Sequence, residues 1–178
     1  MKKIVVIGPE STGKSTLCEQ LAKHYQTQWC AEYAREYLLN NGSNYQFSDL
    51  LTIAKGQLAL EETSVQQVQQ QNKSLLFIDT DMYVMKVWCE YVFGQCHSFI
   101  LEEIASRKYD LYLLCDIDLP WVRDELREYP DEQPRRELYS IYKDIMENQQ
   151  TPWAVINGTY EQRLQKAIAA VEQYVTVQ

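Results

Sequence analysis

The chain has 178 residues, of which 46% are hydrophobic and 24% charged, with a formal net charge of -8. That is the length of one domain with a core of its own, and the composition of an ordinary soluble globular protein. The acidic balance argues against nucleic acid as a partner, which requires a basic face, and leaves a small cationic substrate open.

In chain order, "MKKIVVIG" starts like a leader peptide, but its apolar run is too short and no small-residue cleavage site follows. It reads instead as a strand, Lys3–Ile7. Further short apolar runs are Leu75–Asp79, Leu111–Cys115 and Trp153–Ile156, with a weaker one at Gln28–Ala31. Each is continuous and followed by polar or turn residues, as strands buried on both faces are. Between them lie helical patterns at Ser15–Tyr25, Ser48–Gln71, Asp81–Phe93, His97–Arg107, Pro134–Asn148 and Tyr160–Val175. Ser48 with Asp49 suits a helix start, Gly94 a helix end, and Pro134 a first turn. The glutamine-rich Gln66–Gln71 continues the helical spacing of Val65 and Val68. Alternating strands and helices predict one α/β domain over residues 1–178: a five-stranded parallel sheet between two helical layers.

No stretch reaches the ~18 apolar residues of a membrane span. The five cysteines, Cys18, Cys30, Cys89, Cys96 and Cys115, form no C-x-x-C and are odd in number. They read as reduced thiols of a cytoplasmic protein. Cys96 beside His97 offers two ligands, too few for a metal site.

The stretch Gly8-Pro9-Glu10-Ser11-Thr12-Gly13-Lys14-Ser15 fits G-x-x-x-x-G-K-S/T. It follows the first strand and opens a helix, the context that gives this motif its meaning. Glycines let backbone N–H groups approach phosphate oxygens, and the following helix, through Thr16, turns its positive end to the same anion. Lys14 can reach the terminal phosphates, and the Ser15 hydroxyl can ligate Mg²⁺. These residues predict binding of ATP with magnesium. Glu10 is out of place beside a phosphate, so its carboxylate is expected to point outward, to a cation or to a hydroxyl of a second substrate. "SLLFIDTD" ends the third strand with Asp79 and Asp81. Asp79 is the expected metal or base carboxylate. Asp81 either serves the substrate or caps the next helix.

The phosphate loop alone does not name a reaction. The guanine signal N-K-x-D is missing, since "NKSL" lacks the aspartate, and the size and element order suit a small-molecule kinase. "AEYAREYL" puts Glu32 and Arg35 one helical turn apart beyond the second strand, facing the cleft at the strands' carboxyl ends. "DIDLPWVRDELREYPDEQPRRELY" supplies Trp121, Asp124, Arg127, Arg135 and Arg136 among prolines. It reads as a lid over residues 121–136, or as a solvated helix start. Trp121 offers an aromatic face for a flat cationic ring, or plain packing.

In these segments the chain resembles the ribosylnicotinamide kinase domain of the bacterial NadR family. The resemblance runs through "GPESTGKSTL", "EYAREYL", "FIDTD" leading into "KVWCEYVFG", "YDLYLLCDIDLPWVRDELR" and "INGTYEQRLQKA". It implies a P-loop kinase fold and transfer of the ATP γ-phosphate to the 5′-hydroxyl of nicotinamide riboside, giving nicotinamide mononucleotide. It implies that Lys14 and Ser15 serve ATP and Mg²⁺, and that Asp79 sits where metal and acceptor meet. Glu32, Arg35, Trp121 and Asp124 would lie at the nucleoside, Arg127 would begin the lid, and Asn157 to Tyr160 would lie near adenine. Where the family often reads "W-V-D-D-G-L-R", this chain has "WVRDELR", with Arg123 and Glu125 at the variable places. No adenylyl-transfer H-x-G-H motif occurs, so the kinase step alone is expected. The rivals are a kinase of another nucleoside or small alcohol, and an ATP-binding regulatory module without catalysis.

Overall fold

The computed structural model describes residues 1–123, 126, 129 and 131–175. The elements run β1 (Lys2–Ile7), α1 (Lys14–His24), β2 (Gln28–Cys30), α2 (Tyr33–Asn41), α3 (Phe47–Gln70), β3 (Leu75–Asp79), α4 (Met82–Phe93), α5 (Ser98–Ser106), β4 (Leu111–Cys115), α6 (Glu132–Asn148), β5 (Trp153–Ile156) and α7 (Tyr160–Tyr174). The five strands are all parallel, in the order β2-β3-β1-β4-β5.

Side chains alternate across the strands, which divides the core into two layers. Ile4 and Val6 of β1 join Phe77 and Leu113 under α1 and α7, through Leu17, Leu21, Ala167 and Val171. Val5 and Ile7 join Leu76, Ile78 and Leu114 on the other face, under Val68 of α3, Val84 and Val87 of α4, and Leu138 and Met146 of α6. The result is the predicted αβα sandwich with a five-stranded parallel sheet. A third cluster, with Leu50, Ile53, Met85 and Ile100, packs α2, α3, α4 and α5 together. No helix among the described residues is long and apolar enough to cross a membrane.

The sequence reading requires some corrections. Residues 33–41, read only as a segment carrying Glu32 and Arg35, form a full helix, α2. It packs on α3 at Gly56, where a Cβ would stand 2.0 Å from the Tyr33 ring. The helix-breaking cost of a mid-helix glycine is thus offset by close helix approach. The cap of α3 is Gln46, not Ser48, because Asp49 at the third helical position closes a capping box back to the Gln46 backbone. Helix α6 begins at Glu132, so Pro134 is its third residue, where an N–H would still lack an intrahelical partner.

Candidate phosphate-binding and acceptor site

β1 lies in the middle of the sheet, and the loops after β1, β3 and β4 converge at the strands' carboxyl ends, where open parallel sheets bind ligands. The turn after β1 is the phosphate loop. Gly8 has φ +140°, and a Cβ there would meet the Cys115 carbonyl at 2.7 Å. Only glycine lets the loop leave β1 so close to β4. The loop is braced by the Thr12 hydroxyl donating to the Pro9 carbonyl at 2.8 Å, and the Lys14 ammonium donates to the same oxygen at 2.9 Å. Helix α1 starts at Lys14 with no side chain capping it, so its first N–H groups and dipole remain available to an anion.

Asp79 ends β3 and is fully buried. Its Oδ2 accepts from the Ser15 hydroxyl at 2.5 Å. Its Oδ1 and the Thr80 hydroxyl have no hydrogen-bond partner among the described residues. A buried carboxylate oxygen without a partner is costly unless a ligand completes it. Thr80 has φ +79°, an unusual conformation for a β-branched residue and one that clusters at functional sites. Burial raises the Asp79 carboxyl, with Lys14, Ser15 and the adjacent Thr80 hydroxyl, which is near it without a hydrogen bond of regular geometry, pulling the other way. The oxygen set of Ser15 and Asp79 fits a hard cation such as Mg²⁺, which keeps waters and phosphate oxygens as its other ligands. Among the described residues no three His, Cys, Asp or Glu side chains converge as an all-protein metal cage.

The loop lines a cleft of about 440 Å³. Residues 8–16 line it, Gly8, Glu10, Ser11, Thr12, Gly13, Lys14, Ser15 and Thr16 among them. Glu32 and Arg35 from the start of α2 line the same cleft, with Trp88, Tyr91, Tyr129 and Tyr142 among its aromatic walls. Burial raises the Glu32 carboxyl; Asp79 adds to the rise, and Lys14 and Arg35 oppose it. The same burial therefore raises two carboxyls beside the phosphate loop.

Glu10 is turned away from the loop's interior. Its Oε1 accepts from the Trp121 indole N–H at 3.2 Å and from the Tyr129 backbone N–H at 2.7 Å. The Ser11 hydroxyl accepts from the Val122 backbone N–H at 3.0 Å. Trp121, Val122 and Tyr129, after β4, are thus tied to the phosphate loop through Glu10 and Ser11. Trp121 serves this anchor and is outside the cleft lining, which takes its aromatics from elsewhere.

Of the two readings of Asp81, the structure shows the helix cap. Its Oδ1 caps α4 by accepting from Tyr83 N and Val84 N at 3.0 and 3.3 Å, and its Oδ2 accepts from the Tyr112 hydroxyl at 2.8 Å. Burial pushes its carboxyl up to about 6. Asn157 is also outside the cleft lining: its side chain and carbonyl accept from Lys166, whereas Tyr160 lines the cleft. Arg135 is buried and donates to the Leu119 carbonyl at 3.4 Å, and Arg136 pairs with Glu132 on the helix surface. Asp124 and Arg127 lie outside the described residues.

The sequence reading missed the wall formed by α4 and α6. Val84, Val87, Trp88 and Tyr91 recur at helical spacing on one face of α4, a stripe that signals a buried face but not what it is buried against. It also missed Arg163, whose partners come from three loops, two of them distant in sequence.

The sequence profile of the AAA_28 family, an AAA domain, matches residues 3–163. The chain belongs to that family. It is 29% identical over 178 residues to the trifunctional NAD biosynthesis/regulator protein NadR of Escherichia coli (strain K12), in an alignment covering 97% of this chain and 42% of NadR. The chain thus spans less than half the length of that curated relative. Among solved structures it is similar to NadR in complex with NR, with a TM-score of 0.80 and 25% identity over 99% of this chain and 50% of that one. NadR in complex with NAD and AMP-PNP gives a TM-score of 0.76 at the same identity and coverage.

Proposed function

We propose that this AAA-domain protein is an ATP- and Mg²⁺-dependent kinase that phosphorylates the 5′-hydroxyl of nicotinamide riboside to nicotinamide mononucleotide. The observation that carries the reading is that one cleft is lined both by the phosphate loop and by Glu32, Arg35 and a set of aromatic side chains. A transferase needs both sets of groups in one space, whereas a nucleotide switch needs only the first. The likeness to a NadR structure holding NR supports the choice of acceptor, and AMP-PNP in another supports ATP.

In this reading Lys14 and the amino end of α1 hold the β- and γ-phosphates. Ser15 and Asp79 would hold Mg²⁺, which supplies charge neutralisation on the phosphate oxygens. Asp79 positions the acceptor hydroxyl or takes its proton, a task favoured by the raised carboxyl. Glu32 lines the cleft with Arg35. Glu32 and the aromatic walls suit a flat ring carrying positive charge. Glu10 holds Trp121 and Tyr129 of the segment after β4, to which Asp124 and Arg127 are assigned from the sequence.

A coupled assay of ADP release with a panel of nucleosides tests the proposal. Nicotinamide riboside should give the fastest turnover by at least about tenfold. Equal or faster turnover with uridine or deoxycytidine would transfer the assignment to another nucleoside kinase, and ATP binding without any acceptor-dependent turnover would leave a regulatory module.

A further inference from the structure

Arg163, on α7, is the largest wholly buried side chain among the described residues. Its Nη1 donates to the Thr12 carbonyl at 2.8 Å and its Nε to the Gly158 carbonyl at 2.9 Å. Its Nη2 donates to the Asp116 carbonyl at 2.9 Å and to the Asp118 carboxylate. Asp118 in turn accepts from the Gly158 N–H at 2.6 Å. One guanidinium therefore joins the loops after β1, β4 and β5.

Stability alone does not account for this arrangement. The ion pair is lopsided, with the Arg163 side chain 2% exposed and that of Asp118 40% exposed. Desolvating a cation that faces mostly neutral carbonyls cancels much of what the contacts gain, and an apolar side chain of similar volume would hold the helix on the sheet about as well. An apolar side chain could not fix the direction of three carbonyls. The Thr12 carbonyl is the informative one, because it belongs to the phosphate loop. No peptide bond is cis, and in a planar trans peptide the carbonyl of one residue and the N–H of the next point in opposite directions. Holding the Thr12 carbonyl on the Arg163 side turns the Gly13 N–H to the other side. It also keeps a partial negative charge from swinging towards the bound anion. Leu119, and Tyr160 at the start of α7, lie close to Gly13, where an added Cβ would stand 3.1 and 3.2 Å from their side chains.

We infer that Arg163 is a positioning residue for phosphate binding: through the Thr12 carbonyl it sets the Thr12–Gly13 peptide with its N–H towards the anion, and through Gly158, Asp116 and Asp118 it ties that peptide to the neighbouring loops. The inference rests on the nucleotide-binding part of the reading above.

The test is calorimetric titration of the whole chain with magnesium ATP and with magnesium tripolyphosphate, which presents the phosphates without the nucleoside. Arg163→Lys keeps the charge but not the fork of donors. It should weaken both ligands by about tenfold to a hundredfold, raise KM for ATP and leave acceptor affinity unchanged. Unchanged tripolyphosphate affinity, or an equal loss for phosphate ligands and acceptor, would overturn the inference. If that variant does not fold, Asp118→Asn decides instead, because it loosens Arg163 from the half-exposed side. It should weaken both phosphate ligands by about threefold, and no change overturns the inference equally. A wild-type chain that binds neither ligand defeats the nucleotide reading itself, so the two failures are told apart.

Discussion

Two buried carboxylates at opposite ends of the sheet have been treated in opposite ways. Glu61 of α3 is 1% exposed and Asp79 of β3 is 0% exposed. Near the amino ends of β1 and β4, Glu61 is fully engaged: Lys3 and Arg107 donate to its Oε1 at 3.0 and 3.4 Å, and the Tyr109 hydroxyl donates to its Oε2 at 2.9 Å. At the carboxyl ends, Asp79 has one short bond from Ser15 and an oxygen with nothing described to meet it. The first arrangement closes a network, and the second leaves one open for a ligand. A fold that can complete one buried acid leaves the other incomplete where the chemistry is proposed.

The largest effect should come from the open acid. Asp79→Asn should lower turnover by about 10²–10⁴-fold, with ATP binding retained, and should leave thermal stability unchanged or higher because a desolvated carboxylate is gone. Steady-state rates with a melting curve read both, and wild-type turnover would remove Asp79 from the mechanism.

Asp81, two residues on, sharpens the contrast, since it is buried yet saturated. Burial raises its carboxyl from 3.8 to about 6, so the fold favours its neutral form. The stability it contributes is present in full below the ordinary carboxylate range and is lost as pH rises through about 6. Asp81→Asn keeps a capping side chain and removes the titration. Denaturant melts from about pH 8 down to about pH 4 should show wild type gaining up to about 3 kcal/mol relative to the variant. A constant difference across that range would contradict the assignment.

The closed network should respond in stability rather than in rate. Glu61→Gln leaves Lys3 and Arg107 facing a neutral side chain and should cost about 2 kcal/mol, part of the buried-pair figure because both bases reach solvent. Turnover per folded molecule should stay within about twofold; a catalytic loss like that of Asp79→Asn would erase the distinction between the two acids. The smallest effect is on the segment after β4. Glu10→Ala removes the acceptor of the Trp121 and Tyr129 N–H groups and should raise KM for the nucleoside by about tenfold and for ATP by less. Equal effects on the two would show that Glu10 serves the loop alone.

Much of the site was legible because its chemistry is contiguous. The phosphate loop, its strand and its helix occupy one stretch, and Asp79 closes the next buried strand, so spacing alone located them. The sheet followed from the same logic, since apolar runs with helical gaps permit few topologies. What stayed hidden depends on contacts between distant segments. Nothing local distinguishes the Trp88 face of α4 from an ordinary core stripe, and nothing near Arg163 announces Thr12. The odd carboxylate in the loop was visible, but its partners Trp121 and Tyr129 were not. Helix α2 was missed because its apolar spacing is weak, with only Ala34 and Leu38 buried; its position depends on Gly56 admitting Tyr33.

The central claim is that the cleft joins an ATP phosphate to a nucleoside hydroxyl. Phosphorus NMR of the protein with magnesium ATP and nicotinamide riboside tests it most directly. The account predicts that ADP and a nicotinamide 5′-phosphomonoester appear in equal amounts, with no ATP consumed when the riboside is omitted. ATP consumed at the same rate without the riboside, or phosphate appearing on a different hydroxyl, would contradict it.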